Sequence, residues 1–212
     1  MLKEKKSFLG TAKEHPITVN LRYLPNFILL IIMMGIGWEK ATKKVLYLTF
    51  DAGYENGNIQ KILDVLKEKN VSAAFFVLIN LLKKNPELIK KMENDGHLVC
   101  NHTAHHKDMS KIDDENAFYS ELHSLELEYK ELTGKEMERF YRPPEGKFSE
   151  RNLQIGAQYG YKTIFWSLAY RDFDRNNQPG KEYVLEHFLP LVRITYHLYQ
   201  VIFQHHPYLK LF

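Results

Sequence analysis

A chain of 212 residues is long enough for one domain with a real core. Its 44% hydrophobic, 26% charged and 13% aromatic residues exclude wholesale disorder, and a net charge of +3 gives no reason to expect a nucleic-acid partner. Cys100 is the only cysteine, so no intrachain disulfide can form, which leaves the compartment open.

Residues 1–42 stand apart as an atypical N-terminal segment. Phe27 to Ile36 reads FILLIIMMGI and follows Lys3, Lys5, Lys6, Lys13 and Arg22. This run falls short of the roughly 20 apolar residues that a membrane span needs. Its length suits the core of a signal peptide, although Glu4 and Glu14 interrupt the basic stretch. As an export or anchor signal it would put the protein in the cell envelope, secreted or membrane-associated. As a buried segment, or as sequence foreign to the fold, it would leave the protein in the cytoplasm.

From residue 43 onward the pattern is regular. Val45 to Phe50 is a strand-length apolar run, and Asp51 to Gly57 reads as a loop with two glycines for turning. Ile59, Ile62, Leu63 and Leu66 recur at helical spacing up to a stop at Asn70. Val71 to Val77 is a second buried strand. A helix follows over Pro86 to Glu93, with proline suited to its first turn. His97 to Cys100 is a third strand. Phe118, Leu122, Leu125, Tyr129 and Leu132 mark the clearest helix, with Asp113 and Asp114 at its start and Gly134 at its end. A strand at Arg139 to Tyr141, a helix from Ser149 to Tyr159 and a strand from Tyr161 to Trp166 complete the series.

Strands alternating with helices predict an α/β fold with parallel pairing. Asp51, His102, Arg142 and Asp172 each follow a strand, where a β/α barrel builds its site. Periodicity alone does not choose between a barrel and an open sheet. His102 and His106 stand four apart, and two imidazoles at that spacing can grip one divalent metal. In a chain with ten histidines such a pair also reads as two surface residues. Together with Asp51 at a strand mouth, able to take a proton from water, the pair predicts metal-assisted hydrolysis.

Thr49-Phe50-Asp51-Ala52-Gly53, His102-Thr103-Ala104-His105-His106 and Arg142-Pro143-Pro144-Glu145-Gly146 resemble, in order and spacing, the first three motifs of the polysaccharide deacetylases (NodB-homology domain, carbohydrate esterase family 4). Thr49 to Gly57, and Trp166-Ser167-Leu168-Ala169 with Asp172, are most similar to the branch that makes muramic δ-lactam in the peptidoglycan of the spore cortex. The resemblance runs from Lys43 to Pro190, so the domain is expected over residues 43–190.

It implies a distorted (β/α) barrel that removes N-acetyl groups from the amino sugars of a glycan. Peptidoglycan is the expected partner, and the chain is expected to act as a monomer. It implies a divalent metal on His102 and His106, with zinc first and cobalt or manganese as alternatives. Asp51 is then the general base. Arg142 pairs with it or its neighbours, as a charge partner that favours an ionised carboxylate. Asp172 orients Arg142. His105 is expected to pack or hydrogen-bond rather than ligate, Asn101, Tyr141 and Trp166 to pack or form walls, and Cys100 to be a buried thiol.

The chain departs from the pattern at three places. Most relatives place a third metal ligand where Ala52 stands, so weaker metal affinity is expected. Residues 191–212 form an atypical tail without the last barrel motif, whose histidine serves as general acid; His197 comes a few residues early for it. The barrel is therefore expected to be incomplete at its C-terminus. The mismatch at both ends suggests termini read out of frame. The alternative to an enzyme is a catalytically impaired remnant that at most binds glycan.

Overall fold

The computed structural model describes residues 48–166 and, beyond them, Glu182. The apolar segment at 27–36, Asp172, His197 and the tail from 191 lie outside the described residues. Five strands, β1 (Thr49–Ala52), β2 (Ala74–Val77), β3 (Leu98–Asn101), β4 (Phe140–Tyr141) and β5 (Lys162–Thr163), form one sheet in the order of the sequence. All four pairings are parallel. The intervening helices are α1 (Ile59–Glu68), α2 (Ile79–Lys84), α3 (Pro86–Asn94), α4 (Glu115–Thr133) and α5 (Glu150–Gln158).

The strand order never reverses. An open doubly wound sheet reverses at a switch point, whereas sequential winding is that of a β/α barrel. The described part is thus five strands of a distorted barrel, as the sequence motifs imply.

Each element follows from its residues. Ala-Phe-Phe-Val of β2 is buried at every position, because parallel sheets covered by helices have no wet face. Burying Phe75 and Phe76 contributes about 2–3 kcal/mol each. Helix α1 turns Ile59, Leu63 and Leu66 inward. They join Phe75, Val77, Leu81, Ile89, Met92, Val99 and Leu125 in the main core. A second cluster gathers Met109, Phe118, Leu122, Tyr141, Ile155 and Tyr161 near β4 and β5. Helix α4 is capped at both ends: the Asp114 carboxylate accepts the Ala117 N–H at 2.7 Å, and Gly134 takes the left-handed conformation at φ 72°.

The elements differ from the sequence reading in several boundaries and in one added helix. Asp51 and Ala52 belong to β1 rather than to the loop, since they pair with Phe76 and Val77. Strand β5 is only Lys162–Thr163, shorter than the apolar run around it. Helix α2 was not expected: six residues with no side-chain cap show too few turns for a period to be read.

Candidate active site at the strand mouths

The sheet delivers the motif residues to one end. The His102 N–H bonds the Val77 carbonyl at 3.1 Å, and the Arg142 N–H bonds the Asn101 carbonyl at 2.9 Å. The ladder thereby continues one step past β3 and β4 and brings both residues level with the end of β1. Asp51 projects there, with 38% of its side chain exposed and open to a substrate.

Arg142 is buried and holds two acceptors of β1. One guanidinium nitrogen donates to Asp51 Oδ1 at 2.7 Å and another to Thr49 Oγ1 at 2.9 Å. The guanidinium also lies 4.0 Å from the centre of the Phe76 ring. The expected pairing of Arg142 with Asp51 is present. The expected help from Asp172 concerns a residue outside the described set.

His102 is 3% exposed, and its Nδ1 lies 2.8 Å from the Arg142 carbonyl oxygen. A carbonyl only accepts, so Nδ1 carries the hydrogen and Nε2 keeps its lone pair. That Nε2 lies 3.8 Å from Asp51 Oδ2. Burial pushes the pKa of His102 down, outweighing the nearby carboxylate, and so favours the neutral imidazole that a metal requires. The His106 ring centre is 5.1 Å from that of His102, at an interplanar angle of 71°.

The loop between the two histidines is unusual. Thr103 has φ 76° and His106 φ 56°, the left-handed region that residues with a Cβ rarely adopt. Asn101 is fully buried: its Oδ1 accepts the Thr103 N–H at 2.8 Å and its Nδ2 donates to the Leu122 carbonyl at 2.9 Å. Thr103 Oγ1 accepts the His106 N–H at 3.0 Å. Glu121, buried on α4, accepts the His105 N–H at 3.1 Å and the Lys107 ammonium at 2.6 Å. Burial works against its charge, but the bonds from Lys107 and His105 hold its carboxyl below its usual range. His105 Nδ1 also reaches Glu121, at 3.1 Å, so it is a hydrogen-bonding neighbour as expected.

Ala52 is buried in the main core and offers no ligating atom. Among the described residues, no three His, Cys, Asp or Glu side chains come together as a metal site. The donors are two imidazoles, one of them with its outer nitrogen tied and its inner lone pair aimed at the strand mouth. This set fits a divalent ion held by two protein ligands and completed by others. Cys100 is fully buried, and burial pushes its thiol far up, so it is inert as expected. Tyr141 is likewise buried and packs in the second core cluster, its hydroxyl raised well above its usual value by burial.

Sequence reasoning missed Glu121 and the hydrogen bond from Arg142 to Thr49. No local signal marks Glu121, which reads as one more polar residue on an amphipathic helix. Thr49 could have been found, since residues i and i+2 of a strand share a face and Asp51 was already singled out.

A carboxylate and a histidine pair stand together at the strand mouths of a sequentially wound, barrel-type sheet. Residues 39–164, more than half of the chain, match the family model of polysaccharide deacetylase. The chain belongs to the polysaccharide deacetylase family, carbohydrate esterase family 4. It is 45% identical over 148 residues to the peptidoglycan-N-acetylmuramic acid deacetylase of Bacillus subtilis, a match covering 69% of this chain and 56% of the relative. It is 47% identical over 148 residues to an uncharacterized 30.6 kDa protein of Geobacillus stearothermophilus, covering 70% and 56% of the two. The chain thus spans little more than half the length of these curated relatives. The solved structure of the Bacillus subtilis family 4 carbohydrate esterase aligns with a TM-score of 0.72 at 35% identity, covering 88% of this chain and 79% of that one.

Proposed function

We propose that this chain is a metal-dependent glycan de-N-acetylase that acts on N-acetylmuramic acid residues of peptidoglycan, in the route to muramic δ-lactam of the spore cortex. The observation that carries this reading is the arrangement at Asp51: Oδ1 is engaged by Arg142, while Oδ2 lies 3.8 Å from the lone-pair nitrogen of His102. The 45% identity to a peptidoglycan-N-acetylmuramic acid deacetylase supports the choice of sugar.

His102 and His106 would hold the metal, zinc in the first instance. When bound, such an ion supplies Lewis acidity that polarises the acetamide carbonyl and acidifies water. Asp51 takes the proton of the attacking water at Oδ2, the oxygen that Arg142 leaves open. Arg142 fixes the carboxylate in place and sets its second oxygen toward the histidines. The departing amine must gain a proton; His197, the residue weighed for that task in the sequence, lies outside the described residues. A site in the cell envelope, with the apolar stretch at 27–36 acting as signal or anchor, suits a peptidoglycan substrate. Among the described residues no helix is long and apolar enough to cross a membrane.

Acetate release from muramic-containing peptidoglycan, compared with N-acetylglucosamine glycans, tests the reading. Faster release from the muramic substrate is expected. Equal or preferential release from glucosamine glycans overturns the choice of sugar. Folded, metal-replete protein that releases none from either reduces the chain to the glycan-binding remnant.

A further inference from the structure

The geometry points to Glu121 as the positioning residue of the histidine loop, the group that holds His106 opposite His102; this rests on the reading that the two histidines carry the metal. A glutamate 5% exposed inside a helix needs a reason, because burying a carboxylate without partners is costly. Its partners do not come from its own helix. They come from the loop of residues 104–107.

The Ala104 N–H donates to the Glu121 backbone carbonyl at 2.8 Å. The His105 N–H donates to Glu121 Oε2 at 3.1 Å, and His105 Nδ1 and the Lys107 ammonium lie 3.1 and 2.6 Å from Oε1. One residue thus takes hold of Ala104, His105 and Lys107, and with the last two it holds both flanks of His106.

The loop needs such a hold. Left-handed backbone is unfavourable for residues with a Cβ, and both Thr103 and His106 adopt it. Such conformations persist only where the surroundings over-determine them. The bonds from Asn101 to Thr103 and from Thr103 to His106 are internal to the turn and its approach. The attachment of its outer half to a rigid element is made by Glu121, on a 19-residue helix packed into the core. Without the carboxylate, His105 and His106 are free to relax toward ordinary backbone, and His106 swings away from His102. The consequence is weaker metal binding without loss of the fold.

The test uses the full chain and three variants, Glu121→Ala, Glu121→Gln and His106→Ala, titrated with Co2+ by visible absorption. Backbone amide exchange is read at Ala104, His105 and His106, with the amides of β2 as reference. Glu121→Ala is expected to weaken Co2+ binding about 10–100-fold and to speed exchange at His105 and His106 by about tenfold, with β2 unchanged. Glu121→Gln keeps an acceptor for the His105 N–H but loses the charge that holds Lys107, so both effects are expected in the same direction and smaller, and it serves alone if the alanine variant does not fold. Unchanged affinity and unchanged loop exchange in both variants overturn the inference. So does faster exchange that spreads equally to β2, which marks a merely structural role. Wild-type protein that binds Co2+ no better than His106→Ala overturns the metal reading instead, and loop exchange then decides for Glu121 by itself.

Discussion

Arg142 spans two acceptors on one strand face, Asp51 Oδ1 and Thr49 Oγ1, because side chains two apart on β1 point the same way. A planar fork reaches each acceptor with its own nitrogen, a fixed geometry that the point charge of an ammonium does not reproduce. Arg142→Lys therefore keeps the charge but loses one of the two bonds. We expect the initial rate of acetate release to fall by about tenfold or more, with an unchanged far-UV circular dichroism spectrum; a full rate would show that the fork is dispensable. Asp51→Asn removes the proton acceptor, and the same assay should fall by about 100-fold or more. At this scale the sequence was informative where a residue's chemistry and motif coincide, as for Asp51, Arg142, His102 and His106. It was silent on Glu121, whose role depends on which helix turn packs against which loop. That is a tertiary fact with no local pattern.

Helix α4 shows what sequence does specify at the scale of an element. Its apolar residues at steps of four and three become the buried face, and its ends fall where Asp114 and Gly134 place them. Asp114→Ala should cost about 1 kcal/mol, read as a lower urea midpoint, since the Ala117 N–H loses its acceptor. Helix α2 was illegible because its six residues carry no cap and little periodicity, and packing against α3 and α4 defines it. The entry to β3 carries a pH effect. His97 is buried, its Nδ1 accepts the Ala73 N–H at 3.3 Å, and its Nε2 has no hydrogen-bond partner among the described residues. Burial is the main cause pushing its pKa below the ordinary 6.5. A folded-state pKa below the unfolded one means that the neutral form is the one folding favours. The stability gained is full above about pH 6.5 and is lost as pH falls through the folded value. His97→Gln keeps an acceptor for Ala73, so its melting temperature should fall less than that of the wild type between about pH 7 and pH 5. An identical acid limb in both proteins would remove His97 from the account.

For the whole molecule, the sheet order explains why one end holds the chemistry. Five parallel strands wound in sequence carry every following loop to the same end, so residues 91 positions apart, Asp51 and Arg142, meet in one ion pair. Periodicity predicted the strands but not this order, because strand neighbours are set by packing between distant segments. The motifs supplied the barrel where periodicity could not, through a resemblance that the family match bears out. The central claim is that Asp51 and the two histidines perform metal-dependent de-N-acetylation. It is tested most directly by measuring acetate release from N-acetylated peptidoglycan by the full chain, with zinc supplied and after chelation. The account predicts release with zinc and its loss on chelation, restored when zinc is returned. Release that is indifferent to the chelator, or none from folded protein with zinc present, would contradict it.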